Sequence, residues 1–139
     1  MANPKEVVII DGARTPVGRF GGAFKDMRAS DLGAIAIRAA LERSGVSPEA
    51  VDEVIMGNVL QASETGYTAR RAMLAAGIPD NVPAMTINRA CSSGLESINL
   101  AVQAIMTGES EVVVAGGMDS MSQAPYLMTG NRFDGPFYF

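Results

Sequence analysis

The chain has 139 residues, of which 47% are hydrophobic and 19% are charged, a composition typical of one folded domain rather than of a disordered chain. The net charge is −4 and the sequence has no basic stripe, so we expect no nucleic-acid partner; no apolar run approaches the ~20 residues of a membrane span. The single cysteine excludes an internal disulfide and a CxxC metal site, and we expect a cytoplasmic protein without a bound metal.

The first predicted element is a strand from Glu6 to Asp11. Its centre is the apolar run VVII, the pattern of a strand buried on both faces of a parallel sheet. The glycine-rich loop 12–25 follows, and its glycine spacing fits neither a dinucleotide-binding loop nor a P-loop. Arg14 and Arg19 in this loop are either anion contacts or solvated charges.

Helical and extended patterns then alternate along the chain. A helix is predicted over 32–44, with Ser30 as its N-cap and Gly45 as its end. A strand is predicted over 53–60, and a second helix over 68–76.

The only cysteine lies between the third predicted strand, 84–88, and a helix that runs from about 92 to 107. A fourth apolar strand is predicted over 112–115. Large apolar residues recur at helical spacing in the third helix and form one face, namely Leu95, Ile98, Val102, Ile105 and Met106.

This alternation with short connections predicts an α/β fold, with a mostly parallel sheet and helices on both faces. Functional groups in such sheets gather at the carboxyl ends of the strands. Cys91 and the Gly116-Gly117 pair are therefore expected at the same edge of the sheet.

Cys91 is the candidate catalytic residue. A helix N-terminus offers unpaired N–H groups and the positive end of the macrodipole, and both favour the nucleophilic thiolate. The alternative is a small buried hydrophobic residue without chemistry. A cysteine nucleophile usually needs a histidine as base, and this chain has none. Glu96 and Asp119 are poor substitutes, because a nearby carboxylate disfavours a thiolate.

Three segments resemble the thiolases, the family of acetyl-CoA acetyltransferases. Residues 88–95, NRACSSGL, resemble the family's nucleophile segment. Residues 11–22, DGARTPVGRFGG, resemble its N-terminal signature, and residues 115–126, AGGMDSMSQAPY, resemble the block after its fourth strand. The segments occur in the family's order, so the resemblance extends over nearly the whole chain.

The resemblance implies that Cys91 takes an acyl group from an acyl-CoA, with its backbone N–H in the oxyanion hole. Claisen condensation with a second acyl-CoA follows, or the reverse thiolytic cleavage of 3-ketoacyl-CoA, as in fatty acid metabolism. The resemblance further implies a coenzyme A thioester as substrate, no covalently bound cofactor, and a homodimer that pairs through the strand 84–88.

The family's activating histidine, its second cysteine and its CoA-gripping loop domain have no counterpart in this sequence. Residues 1–126 are therefore expected to form a partial thiolase-like N-terminal α/β domain, and residues 127–139 the truncated start of the loop region. We expect the chain alone to be inactive and to expose an apolar face that the missing C-terminal half would cover.

Two alternatives remain open. A condensing enzyme of the ketoacyl-synthase type resembles thiolases around the cysteine but usually lacks the segments 14–16 and 117–121 together. The other alternative is a non-catalytic fragment or split subunit that acts only with a companion chain.

Overall fold

The computed structural model describes residues 6–64 and 66–127. In this part of the chain the helices and strands are α1 (Ala29–Ser44), β1 (Glu53–Gly57), α2 (Thr68–Ala76), β2 (Ala84–Ile87), α3 (Ser93–Thr107) and β3 (Val113–Gly117). Three short 3-10 turns span Pro48–Ala50, Gln61–Glu64 and Met121–Gln123.

The described strands form one parallel sheet in the order β2-β1-β3. The connection from β1 to β2 and the connection from β2 to β3 step across the sheet in opposite directions. Because parallel crossovers are right-handed, α2 and α3 lie on opposite faces. Helix α1 packs on α2. The predicted α/β fold with helices on both faces is confirmed.

The central strand β1 supplies residues to both faces in turn. Val54 and Met56 are buried in the main core, which α1 and α2 cover. Ile55 is also buried but lies outside that core cluster, and Gly57 lies against the first turn of α3. This period of two is what a strand covered on both sides requires.

Helix α3 packs on the sheet through its small residues. Its buried positions are Ser93, Ser97, Ala101 and Ala104. The large apolar side chains point elsewhere, and Leu95, Ile98 and Met106 are 64%, 38% and 53% exposed. The apolar face that the spacing predicts therefore exists, but only Leu95, Ile98 and Met106 are exposed on it. Val102 and Ile105 are half-buried and, with Ile98, line a cavity beside β3.

The predicted first strand is wrong. Residues 6–13 form no ladder with any described residue, and Val8, Ile9 and Ile10 are 66%, 81% and 61% exposed. A cavity of about 340 Å³ lies between this run and β3, and α1 and α3 contribute to its lining. A ladder needs a partner at hydrogen-bonding distance, and across this cavity β3 is not one.

Several element boundaries differ from the sequence interpretation, and the strand predicted over 53–60 ends at Gly57. Helix α1 begins at Ala29 with Arg28 as its N-cap, so Ser30 lies inside the first turn. Ser30 instead donates its hydroxyl to the buried carboxylate of Glu64, which also accepts from the Ser30 backbone N–H. Gly116 and Gly117 end β3 instead of following it. The expectation for residues 127–139 falls almost wholly outside the described residues.

Asp52 joins the amino ends of two neighbouring strands. Its Oδ2 accepts from the backbone N–H groups of Glu111 and Val112 at 2.8 and 2.9 Å, just before β3. The hydrogen bonds from Val112 and Glu111 hold the pKa of this carboxyl below its ordinary value of 3.8.

We expect Asp52 to make stability depend on pH. Because its folded pKa is lowered, its contribution is complete well above pH 3.8 and is lost as the pH falls through the folded value. Near neutral pH, Asp52→Asn should unfold at a lower urea concentration than the wild type, and the difference should shrink below about pH 4. Glu49→Gln, the same charge change at an exposed site nearby, is the control. A difference in urea midpoint that stays constant with pH would contradict the assignment.

Candidate active site

Cys91 lies directly before the N-cap of α3, and its side chain is exposed with a free thiol. It follows β2 at the carboxyl edge of the sheet. The predicted position between a strand and a helix is confirmed, and the alternative of a buried hydrophobic cysteine is wrong. An incoming molecule can therefore reach the sulfur.

The turn that carries Cys91 has an unusual backbone. Ala90 has a φ of +49°, and it is the non-glycine residue with positive φ among those described. This left-handed conformation costs about 1–2 kcal/mol for a residue with a Cβ. Its neighbours hold it in place: the Ala90 N–H donates to Asn88 Oδ1 at 3.0 Å, and the Ala90 carbonyl accepts from the Ser93 N–H at 3.0 Å.

Glycines let the first turn of α3 approach the sheet very closely. A methyl group on Gly57 would lie 2.5 Å from the carbonyl carbon of Ser93 and 2.7 Å from the nitrogen of Gly94. A methyl group on Gly117 would lie 3.1 Å from Gly94 Cα. The Ser97 hydroxyl adds a hydrogen bond to the Gly116 carbonyl at 2.8 Å. These contacts fix the height of the helix N-terminus above the strand ends.

Neither candidate carboxylate is free to act as a base. Glu96 forms an ion pair with Arg89, two residues before the cysteine. Asp119 Oδ1 accepts three N–H groups, from the side chain of Asn58 and from the backbone of Val59 and Leu60. Both carboxylates therefore hold the protein together around the turn.

Arg14, Arg70 and Arg71 donate hydrogen bonds to backbone carbonyls. Arg14 donates to the carbonyl of Thr15. Arg70 donates to the carbonyls of Val82 and Asp80, and Arg71 donates to the carbonyl of Glu64. The bonds of Arg70 and Arg71 tie neighbouring loops to α2, whereas the bond of Arg14 stays within its own loop.

Sequence reasoning missed Asn58 and the left-handed Ala90, and it gave Asp119 no role beyond that of a poor base. Asn58 and Asp119 are 61 residues apart in the chain, and no local pattern joins them. One signal was available: both follow an apolar run that ends at the carboxyl edge of a parallel sheet.

The described residues contain no group of three or more histidine, cysteine, aspartate or glutamate side chains that could hold a metal ion. Within the same residues, no helix is long and apolar enough to cross a membrane.

Comparison with known proteins gives a consistent set of relatives. The family model described as "Thiolase, N-terminal domain" matches residues 7–136. An acetyl-CoA acetyltransferase of Cupriavidus necator is 54% identical over 127 residues, which are 91% of this chain and 32% of that protein. A probable acetyl-CoA acyltransferase of Staphylococcus aureus is 52% identical over the same lengths.

Two solved structures share the fold of this chain. The Bacillus anthracis acetyl-CoA acetyltransferase superposes with a TM-score of 0.87 at 46% identity. Human mitochondrial 3-ketoacyl-CoA thiolase in complex with CoA superposes with a TM-score of 0.87 at 51% identity. Each match covers 91% of this chain and 32% of the other. The chain therefore spans about a third of the length of these relatives.

We expect Gly57→Ala to lower the free energy of unfolding by about 1–3 kcal/mol, because the added methyl group overlaps the backbone of α3. Urea unfolding measures the change. Gly12→Ala is the matched control, since no atom lies within 4 Å of its methyl group. Equal stabilities of the two variants would show that α3 does not rest on Gly57 in solution.

Proposed function

This chain belongs to the thiolase family, whose N-terminal domain it matches over nearly its full length, and from that premise we propose that Cys91 is the residue that becomes acylated. The thiolate of Cys91 attacks the carbonyl carbon of an acyl-CoA. A carbon–sulfur bond to Cys91 forms, and coenzyme A leaves as its thiolate. The acyl group then passes to a second acyl-CoA in a Claisen condensation, or the reverse sequence cleaves 3-ketoacyl-CoA.

One observation carries this proposal: Cys91 is exposed directly before the first turn of a helix that rests on the carboxyl ends of parallel strands. N–H groups of such a turn stabilise negative charge on sulfur and on an acyl oxygen. The Cys91 backbone N–H is proposed as an oxyanion-hole donor. The relatives named acetyl-CoA acetyltransferase and the thiolase solved with CoA support a coenzyme A thioester as the substrate.

The proton transfers need a group that these 139 residues do not contain. The sequence has no histidine, and the two candidate carboxylates, Glu96 and Asp119, are bound to other partners. We propose that the missing C-terminal part of a thiolase, or a companion chain, supplies the base. The chain covers 32% of the length of its relatives, which is compatible with a base supplied by a part of the protein outside this chain.

The outward face of α3 is proposed as the surface that this second part covers. Leu95, Ile98 and Met106 are all more than a third exposed on one helix, and a patch of large apolar side chains commonly marks an interface.

We further propose that residues 1–126 form the N-terminal domain and that residues 127–139 begin the loop region. The proposed location of the protein is cytoplasmic.

A homodimer through β2 is also proposed. Among the described strands, β2 lies at an edge and pairs only with β1. Met85 in its centre is 40% exposed. An unpaired strand edge can add a strand from a second copy.

The second candidate function is a non-catalytic subunit that acts only as a binding surface. The observation that favours it is the same apolar face of α3, together with the absence of histidine from the sequence. Under this alternative Cys91 would not take up an acyl group. The thiolase match leaves the ketoacyl-synthase alternative without support.

We expect brief exposure to acetyl-CoA to add one acetyl group to the chain, detected by intact mass spectrometry, without steady-state turnover. Cys91→Ser should abolish the adduct. Cys91→Ser combined with Ser92→Cys moves the thiol by one residue and is the matched control, which should acquire little acetyl. A chain that stays unmodified supports the binding-subunit alternative. Turnover by a preparation shown to contain only these residues would refute the need for a second part.

We expect the α3 face to bind an apolar dye in the isolated chain. Leu95→Gln combined with Ile98→Gln should reduce dye fluorescence and aggregation, while the free energy of unfolding changes by only about 0.5 kcal/mol or less. Leu74→Gln, at an exposed apolar residue of α2, is the control. A stable monomer that binds little dye before substitution would exclude the proposed interface.

A further inference from the structure

We infer that Asp119 is a positioning residue for the turn that carries Cys91, acting through the loop 58–60 and Asn88. The inference rests on the proposed function, since it assigns a purpose to the geometry of the proposed nucleophile. It concerns a carboxylate that has no direct place in the acyl-transfer step.

The first link is a single oxygen with three donors. Asp119 Oδ1 accepts from Asn58 Nδ2 at 2.9 Å and from the backbone N–H groups of Val59 and Leu60, each at 3.0 Å. These donors belong to the segment that follows the central strand β1. Three hydrogen bonds of ordinary length to one oxygen fix the loop 58–60 to the residues after β3.

The orientation of Asn58 reflects this arrangement. The residue is fully buried, and its Nδ2 donates to the carbonyl of Met118 at 2.8 Å as well as to Asp119. Rotating the amide by half a turn would place its oxygen against two acceptors. Its Oδ1 has no hydrogen-bond partner among the described residues. Burying an unpaired oxygen is costly, which indicates that the two acceptors, the Met118 carbonyl and the Asp119 carboxylate, together decide how the amide lies.

The second link joins the loop to the turn. The Asn58 N–H donates to the carbonyl of Ile87 at 3.0 Å, at the end of β2. The carbonyl of Val59 accepts from Asn88 Nδ2 at 3.4 Å, a long hydrogen bond. Asn88 Oδ1 in turn accepts from the Ala90 N–H at 3.0 Å. The Asn88 side chain therefore connects the loop 58–60 to Ala90, the residue immediately before Cys91, by one hydrogen bond to each.

The third link is the conformation of Ala90. A left-handed alanine relaxes unless its surroundings hold it there. If Ala90 relaxes, Cys91 moves relative to the first turn of α3. Hydrogen bonds connect Asp119 to Val59, Val59 to Asn88, and Asn88 to Ala90, and together they oppose this movement.

The test uses the single cysteine of the chain, because alkylation by iodoacetamide then reports on Cys91 alone. The rate constant of alkylation is measured at one near-neutral pH, with the urea midpoint of each variant measured alongside. We expect Asp119→Ala to react about two- to fivefold more slowly, the range that a charge gains from a helix N-terminus. Asp119→Asn retains an acceptor oxygen and should restore the rate to within about twofold of the wild type.

Asn88→Ala tests the path at an exposed residue whose loss should leave the chain folded. It should slow alkylation by a similar factor, and the double variant with Asp119→Ala should be no slower than the slower single variant. Asp52→Ala is the matched control, since Asp52 also accepts backbone N–H groups but at the opposite ends of the strands. It should lower the urea midpoint and leave the alkylation rate unchanged.

Three results would overturn the inference: equal alkylation rates in all variants, slowing that multiplies in the double variant, or the same slowing in Asp52→Ala. Should Asp119→Ala fail to fold, Asn88→Ala and Asp119→Asn still decide the outcome, through slowing in the first and a near-normal rate in the second. Alkylation does not depend on acyl-CoA. A failure of the proposed acyl transfer would therefore appear in the acetylation experiment and not in these rates.

Discussion

The contact between the first turn of α3 and the backbone of Gly57 is the constraint on which the rest of the structure depends. A side chain at position 57 would overlap the carbonyl carbon of Ser93, so the helix can lie at this height only over glycine. The same closeness requires small residues along the inner face of α3, and Ser97 and Ala101 meet that requirement. The position of Cys91 follows, because the turn before a helix moves with the helix.

Close packing of small residues has a second effect on α3. A helix places its side chains all around its axis, and when the small ones face the sheet, large apolar ones such as Leu95 and Met106 are left exposed. The two faces of the sheet are consequently unlike. One is covered by α1 and α2 around Val54 and Met56, while the other is covered by α3 alone, which exposes Leu95, Ile98 and Met106.

Local pattern was enough for most of the fold. Helix α2 spans the residues that its caps indicate, Thr68–Ala76, and α3 and β2 differ from expectation by one residue at one end. The prediction of a first strand at 6–11 was wrong because the run VVII indicates only a preference for burial, and a ladder depends on a partner far along the chain.

The residues of the site differ in the same way in how far the sequence could predict them. Cys91 stands out as a lone cysteine before a helix, whereas the bonds from Asp119 to the loop after β1 join residues 59 to 61 positions apart.

The unpaired run at residues 7–10 affects how long the polypeptide survives in the cell. No strand within residues 6–127 pairs with it. Val8, Ile9 and Ile10 are exposed beside an apolar cavity, and exposed apolar segments of this kind are what chaperones and quality-control proteases recognise. Cellular lifetime, more than equilibrium stability, then becomes the quantity that the N-terminal segment governs.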